Sequence, residues 1–197
     1  MKKKDTLKRA FSLLFAAILL IASGCATTPK TPVDTANAFL TALRDGKTKK
    51  AQSLMYNPEA YSLDSNNAIE LNAAAASRLS WTFGEESFDS ENNYYMVDVK
   101  ITMVDVAEVL GTITEKYYDQ MLSDAQNGVS WQNDTLEQEL LDDLSALIES
   151  QDAPMKTQEI LMYLVPDGDA WLVFVQDDLI NAVTGGVLEL YEFYREN

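Results

Sequence analysis

The chain has 197 residues, with 31 acidic side chains against 15 basic ones, no histidine and one cysteine, for a formal net charge of −16. Such a balance repels phosphate backbones and excludes nucleic acid as a partner. Without imidazole, and with a single thiol, Ser-His-Asp and Cys-His catalysis, histidine-based transition-metal sites and an internal disulfide are also excluded, and no cofactor or metal is expected.

The first segment is an address. Lys2, Lys3, Lys4, Lys8 and Arg9 precede an apolar stretch from Ala10 to Ala22, and Ser23-Gly24-Cys25 follows. A basic start, a short apolar middle and small residues make a secretory signal. The 14 residues from Ala10 to Ser23 fall short of the roughly 20 apolar residues that a membrane-spanning helix needs. Cys25 directly after the small residues resembles the lipobox of bacterial lipoproteins, with Ala22 where that motif usually carries leucine. The expected organisation is a signal peptide over 1–24, a lipidated cysteine and tether over 25–32, and a single domain over 33–197. Ordinary cleavage after the small residues and an uncleaved anchor are the alternatives.

Thr31-Pro32-Val33-Asp34 reads as a helix start: Thr31 caps, Pro32 fits the first turn, and Asp34 meets the positive helix end. Val33, Ala36, Phe39, Leu40 and Leu43 share one face, and Gly46 ends the helix. A second helix is predicted over Thr48 to Met55 and a third over Ile69 to Ser77. Leu79, Trp81 and Phe83 then alternate with Ser80, Thr82 and Gly84, and Tyr95, Val97, Val99, Ile101 and Met103 alternate against Met96, Asp98, Lys100 and Thr102, so the two runs predict a hairpin turning at Asp89–Asn93. Asp105 and Glu108 have capping spacing ahead of a helix to about Asp124. Asp134 and Glu137 repeat that spacing before a helix carrying Leu136, Leu140, Leu144 and Leu147. Met155–Val165 and Trp171–Gln176 predict a second hairpin across Asp167-Gly168-Asp169. Asp177-Asp178 opens a further helix broken at Gly185-Gly186, and Val187 to Arg195 reads as a last short one.

Three stretches carry a resemblance. "TPVDTANAFLTALRDGKTKKA" (Thr31 to Ala51) is similar to the opening helix pair of nuclear transport factor two-like domains. "YYMVDVKITMVD" (Tyr94 to Asp105) looks like their central strand, and "DGDAWLVFVQDDLINAVTGG" (Asp167 to Gly186) looks like the closing hairpin and helix of the lipoprotein members in Gram-positive bacteria, mostly of unknown function. The resemblance implies a cone-shaped α+β fold, in which a curved antiparallel sheet wraps around the N-terminal helices. The helical insert from Val106 to Ser150 departs from it, and covering the cone mouth or making a homodimer contact are roles open to that insert.

The expectation for function is a lipid-anchored domain on the outer face of the cell membrane. It binds an unidentified protein or small molecule without catalysing a reaction. Trp81, Tyr95, Tyr163 and Trp171 are the candidate pocket residues, because strand aromatics can line a ligand cavity; filling the core is their alternative role. A carboxylate-dependent hydrolase or isomerase is the competing reading. It needs two acids converging in a cavity, and Asp98, opposite in face to Val97 and Val99, is the acid whose surroundings decide it. A two-lobed solute-binding protein is disfavoured by length and by the missing α/β duplication.

Overall fold

The structure is a computed structural model, and its described residues are 31–56, 58, 74–128 and 134–189. The signal segment, Cys25, most of the predicted third helix and the end of the predicted last one lie outside them. The fold is α+β. Helices α1 (Pro32–Arg44) and α2 (Thr48–Gln52), and the described helical residues 74–77, precede the hairpin β1 (Ser80–Asp89) and β2 (Tyr94–Val104). The insert follows as α3 (Val106–Gln126) and α4 (Asp134–Glu149). The second hairpin, β3 (Met155–Asp167) and β4 (Ala170–Phe174), leads into α5 (Asp177–Val183).

The four strands form one curved antiparallel sheet in the order β1-β2-β3-β4. Both predicted hairpins are present. What joins them is β2 against β3, ten residue pairs running from Tyr95↔Leu164 to Val104↔Met155. This register puts Tyr95, Val97, Val99, Ile101 and Met103 on one face with Ile160, Met162 and Leu164. Val97, Val99, Ile101, Met103, Met162, Leu164 and Val173 are all buried there, beneath Phe39 and Leu40 of α1 and Leu179 and Ala182 of α5.

The local signals act as the sequence suggests. Thr31 Oγ1 accepts the Asp34 amide at 3.0 Å, and Gly46 takes φ +65° just past the end of α1. Asp105 Oδ1 accepts the Glu108 amide at 3.0 Å and starts α3, whose Val106, Val109, Ile113 and Tyr117 are buried. Asp89 Oδ1 accepts the amides of Glu91 and Asn92 in the first hairpin turn. In the second, Gly168 takes φ +59° at the first central position.

One helix boundary differs from the sequence reading. The second helix stops at Gln52 rather than Met55, because Leu54 and Tyr56 leave it to bond the edge of β4: the Val173 amide donates to Leu54 O at 2.8 Å and the Tyr56 amide to Val173 O at 2.9 Å. Met55 bridges Val173 in parallel and remains buried. Among the described α4 side chains Leu144 and Ile148 are buried, with Leu140 and Leu147 only partly covered; Leu136 and Met121 have side chains outside the described set. The insert is tied back to the sheet by Arg78, whose guanidinium donates to Ile148 O at 3.1 Å and Ser150 O at 2.6 Å and so satisfies carbonyls at the end of α4.

The junction of β2, α3 and α5 is tight. Gly185 sits at φ +69°, its carbonyl accepts the Ala107 amide at 3.1 Å, and a Cβ there would lie 2.2 Å from Val104 O.

Candidate functional site

The four aromatic residues singled out from the sequence do not meet in one cavity. Strand alternation separates them. Trp81, Tyr95 and Trp171 lie on the helix-bearing face, and Tyr163, paired with Met96 and Phe174, lies on the opposite one. Trp81 is absorbed into packing: its indole N–H donates to Asn37 Oδ1 of α1 at 3.0 Å, and the Arg44 guanidinium sits 5.2 Å from its ring centre. Tyr95 and Trp171 touch each other, with ring centres 5.8 Å apart and planes at 59°.

Tyr163 belongs to a larger group that the sequence did not announce. Its ring meets Tyr94 edge-on at 6.1 Å, Tyr94 stacks on Phe174 at 6.3 Å and 15°, and Phe174 meets Tyr56 at 6.2 Å. Four rings from β2, β3, β4 and the segment after α2 therefore form one connected patch on the outer face of the sheet. None of the four is buried, and Tyr56 is 53% exposed. Along this face the described strand residues escape burial until Val104 at the end of β2.

The patch continues into polar ground. Lys100 and Glu159 face each other across β2 and β3 and form an ion pair at 2.7 Å; beyond them the Thr102 and Thr157 hydroxyls bond at 2.8 Å. A groove of about 470 Å³ opens here, lined by Thr82, Gly84, Asp98, Lys100, Glu159 and Leu161 among others. Gly84 makes the room, since a Cβ at that position would come within 3.1 Å of the Asp98 Cβ. Glycine inside a strand commonly marks close approach of a ligand or of another backbone.

The groove holds two carboxylates, Asp98 and Glu159, and both are exposed. The Lys100 ammonium, bonded to Glu159, holds that carboxyl below its ordinary value, with burial opposing weakly. This is the opposite of the raised pKa that a carboxylic general acid requires. Among the described residues no group of three or more acids or sulfur ligands is placed to hold a metal ion, and no described helix is long and apolar enough to cross a membrane.

The chain matches no protein-family model, no curated protein and no solved structure. The reading of the site therefore rests on its geometry.

Alternation within β2 and β3 was the signal that could have found the patch. It places Tyr94 and Met96 opposite in face to Val97, and Tyr163 opposite to Met162. The missing step was the pairing of β2 with β3, which brings the two hairpins' outer residues together.

Proposed function

We propose that this protein is a lipid-anchored domain on the outer face of the cell membrane that binds a ligand without transforming it, and that the outer face of its sheet is the binding surface. The observation that carries the reading is the connected patch of Tyr56, Tyr94, Tyr163 and Phe174, left without helical cover among the described residues and running into the Gly84 groove. Aromatic rings supply large contact area at low entropic cost, and the groove adds hydroxyl, ammonium and carboxylate groups that fix orientation. Support for the anchor comes from the sequence alone, through the basic start, the short apolar stretch and Cys25. The nuclear transport factor two-like kinship stays part of this proposal; the curved antiparallel sheet with helices on one face is compatible with it.

A small-molecule fragment screen followed by amide chemical-shift mapping tests the binding surface. Hits should cluster on Tyr94, Met96, Asp98, Lys100, Leu161 and Tyr163. Hits confined to other elements refute the surface. A fragment turned over by the protein, with turnover lost in Asp98→Asn, refutes the non-catalytic reading in favour of a carboxylate enzyme.

A further inference from the structure

At the other end of the helix-bearing face, β1 carries an irregularity. Phe83 pairs with Val99 and Glu86 with Val97, so three steps along β1 match two along β2. A bulge of one residue reverses which side chains face inward. Without it Glu86 and Phe88 would point to the outer face. With it they share a face with Tyr95, and Phe88 stands directly opposite Tyr95. The bulge therefore brings the Glu86 carboxylate to Tyr95 and places Phe88 beside Tyr95 on the face that also carries Trp171.

The group is built rather than scattered. The Tyr95 hydroxyl donates to Glu86 Oε2, which fixes the carboxylate beside the ring. Tyr95 and Trp171 lean together at 59°, and Tyr95 pairs across the sheet with Leu164, which is fully buried. Phe88 remains 51% exposed and Glu86 is exposed as well. Among the described residues, the ion pairs and cation–π contacts involve neither Glu86 nor Trp171 nor Tyr95. Among the described residues the carboxylate therefore has a hydroxyl partner and no ion-pair partner. The Tyr95 hydroxyl is held in its protonated, donating form chiefly by that bond to Glu86, with burial and the carboxylate charge adding to it.

We propose that Glu86, Phe88, Tyr95 and Trp171 form a binding site for an alkylammonium cation. Angled aromatic faces attract a cation through their negative π-surfaces, and a carboxylate at the rim supplies the counter-charge. Net charge of −16 adds a long-range attraction for cations. The site is separate from the outer-face patch and does not depend on it.

Isothermal titration of the full-length chain with choline, and with its uncharged isostere 3,3-dimethylbutan-1-ol, separates recognition of charge from capture of an apolar group. Choline should bind saturably at one site, and the alcohol at least about fivefold more weakly. Glu86→Gln alters an exposed side chain and should weaken choline by about fivefold. Trp171→Leu should remove binding while the far-ultraviolet circular dichroism is retained. A Cys25→Ser chain, which carries no lipid of its own, distinguishes the source of the cation: sedimentation with phosphatidylcholine vesicles, reversed by free choline, supports the site with a lipid headgroup as ligand, and choline binding without sedimentation supports it with a soluble one. Absence of saturable choline binding, equal affinity for the alcohol, or an unchanged Glu86→Gln variant overturns the proposal.

Discussion

Replacing Gly185 by alanine should be among the most damaging single-methyl additions available in this chain. Three costs combine. The backbone at φ +69° is left-handed, which costs a residue with a Cβ about 1–2 kcal/mol. The new Cβ would lie 2.2 Å from Val104 O and 2.9 Å from the Val106 amide nitrogen; both are backbone atoms at the junction of β2 and α3 and cannot rotate aside. Overpacking of this kind costs about 1–3 kcal/mol. Relief requires the two segments to part, which stretches the hydrogen bond from the Ala107 amide to Gly185 O, worth about 1 kcal/mol net. Together these predict a loss of about 3–6 kcal/mol, a large fraction of the stability of an ordinary domain. Gly46→Ala is the internal control, because Gly46 has φ +65° but nothing within 4 Å of the added Cβ; it should show only the backbone cost, about 1–2 kcal/mol. Urea unfolding followed by circular dichroism measures both. With a slope of about 2 kcal/mol per molar, the midpoint should fall by about 1.5–3 M for Gly185→Ala and by about 0.5–1 M for Gly46→Ala. Equal midpoints for the two variants would refute the argument that the junction is sterically closed.

Other predictions address the core, the insert and the anchor. Val99 is 1% exposed, so Val99→Asp should cost about 3–5 kcal/mol by stranding a charge among apolar groups, read as a fall in the same urea midpoint; a change under about 1 kcal/mol contradicts the assigned face. Asp143 ties α4 to α3 by accepting from Lys116 and from the Tyr117 hydroxyl, and the Lys116 bond, followed by the Tyr117 bond, holds its pKa below 3.8. Its contribution is therefore present above the unfolded carboxylate value and is lost as pH falls through the lower folded value. Asp143→Asn should flatten the acid limb of the stability–pH curve, and an acid limb of unchanged slope contradicts it. Cys25→Ser should move the protein from the membrane fraction to the medium, or leave it as precursor; normal processing with unchanged membrane retention contradicts the lipid anchor.

Much of the fold was legible because its elements carry local signals. Thr31, Asp105 and Gly46 mark helix ends, and alternation from Tyr95 to Met103 marks the central strand together with its buried face. The β2–β3 pairing was less legible. Its partners are separated by the whole insert, and no local pattern states which strands of two hairpins meet. The outer-face patch depends on that pairing, so Tyr163 could be noticed as an aromatic but not joined to Tyr94, Phe174 and Tyr56. The β1 bulge was illegible for a related reason. Gly84-Glu85-Glu86 interrupts the alternation that Trp81 and Phe83 begin, yet only the partner strand shows that Glu86 turns inward. Tyr56 was hidden by the helical reading of residues 48–55, where the chain instead departs to bond the β4 edge.

The proposal that the outer sheet face binds a ligand in the cell envelope is tested most directly by site-specific photocrosslinking in intact cells. A benzophenone amino acid at Met96 lies within the outer face, between the Tyr94–Tyr163 contact and the Gly84 groove. The same label at Glu115, exposed on α3, reports the insert. Irradiation should give a discrete adduct from position 96 that weakens when Tyr163→Ala is added, and no such adduct from position 115. The same adduct from both positions, or none from position 96, would contradict the assignment of the binding face.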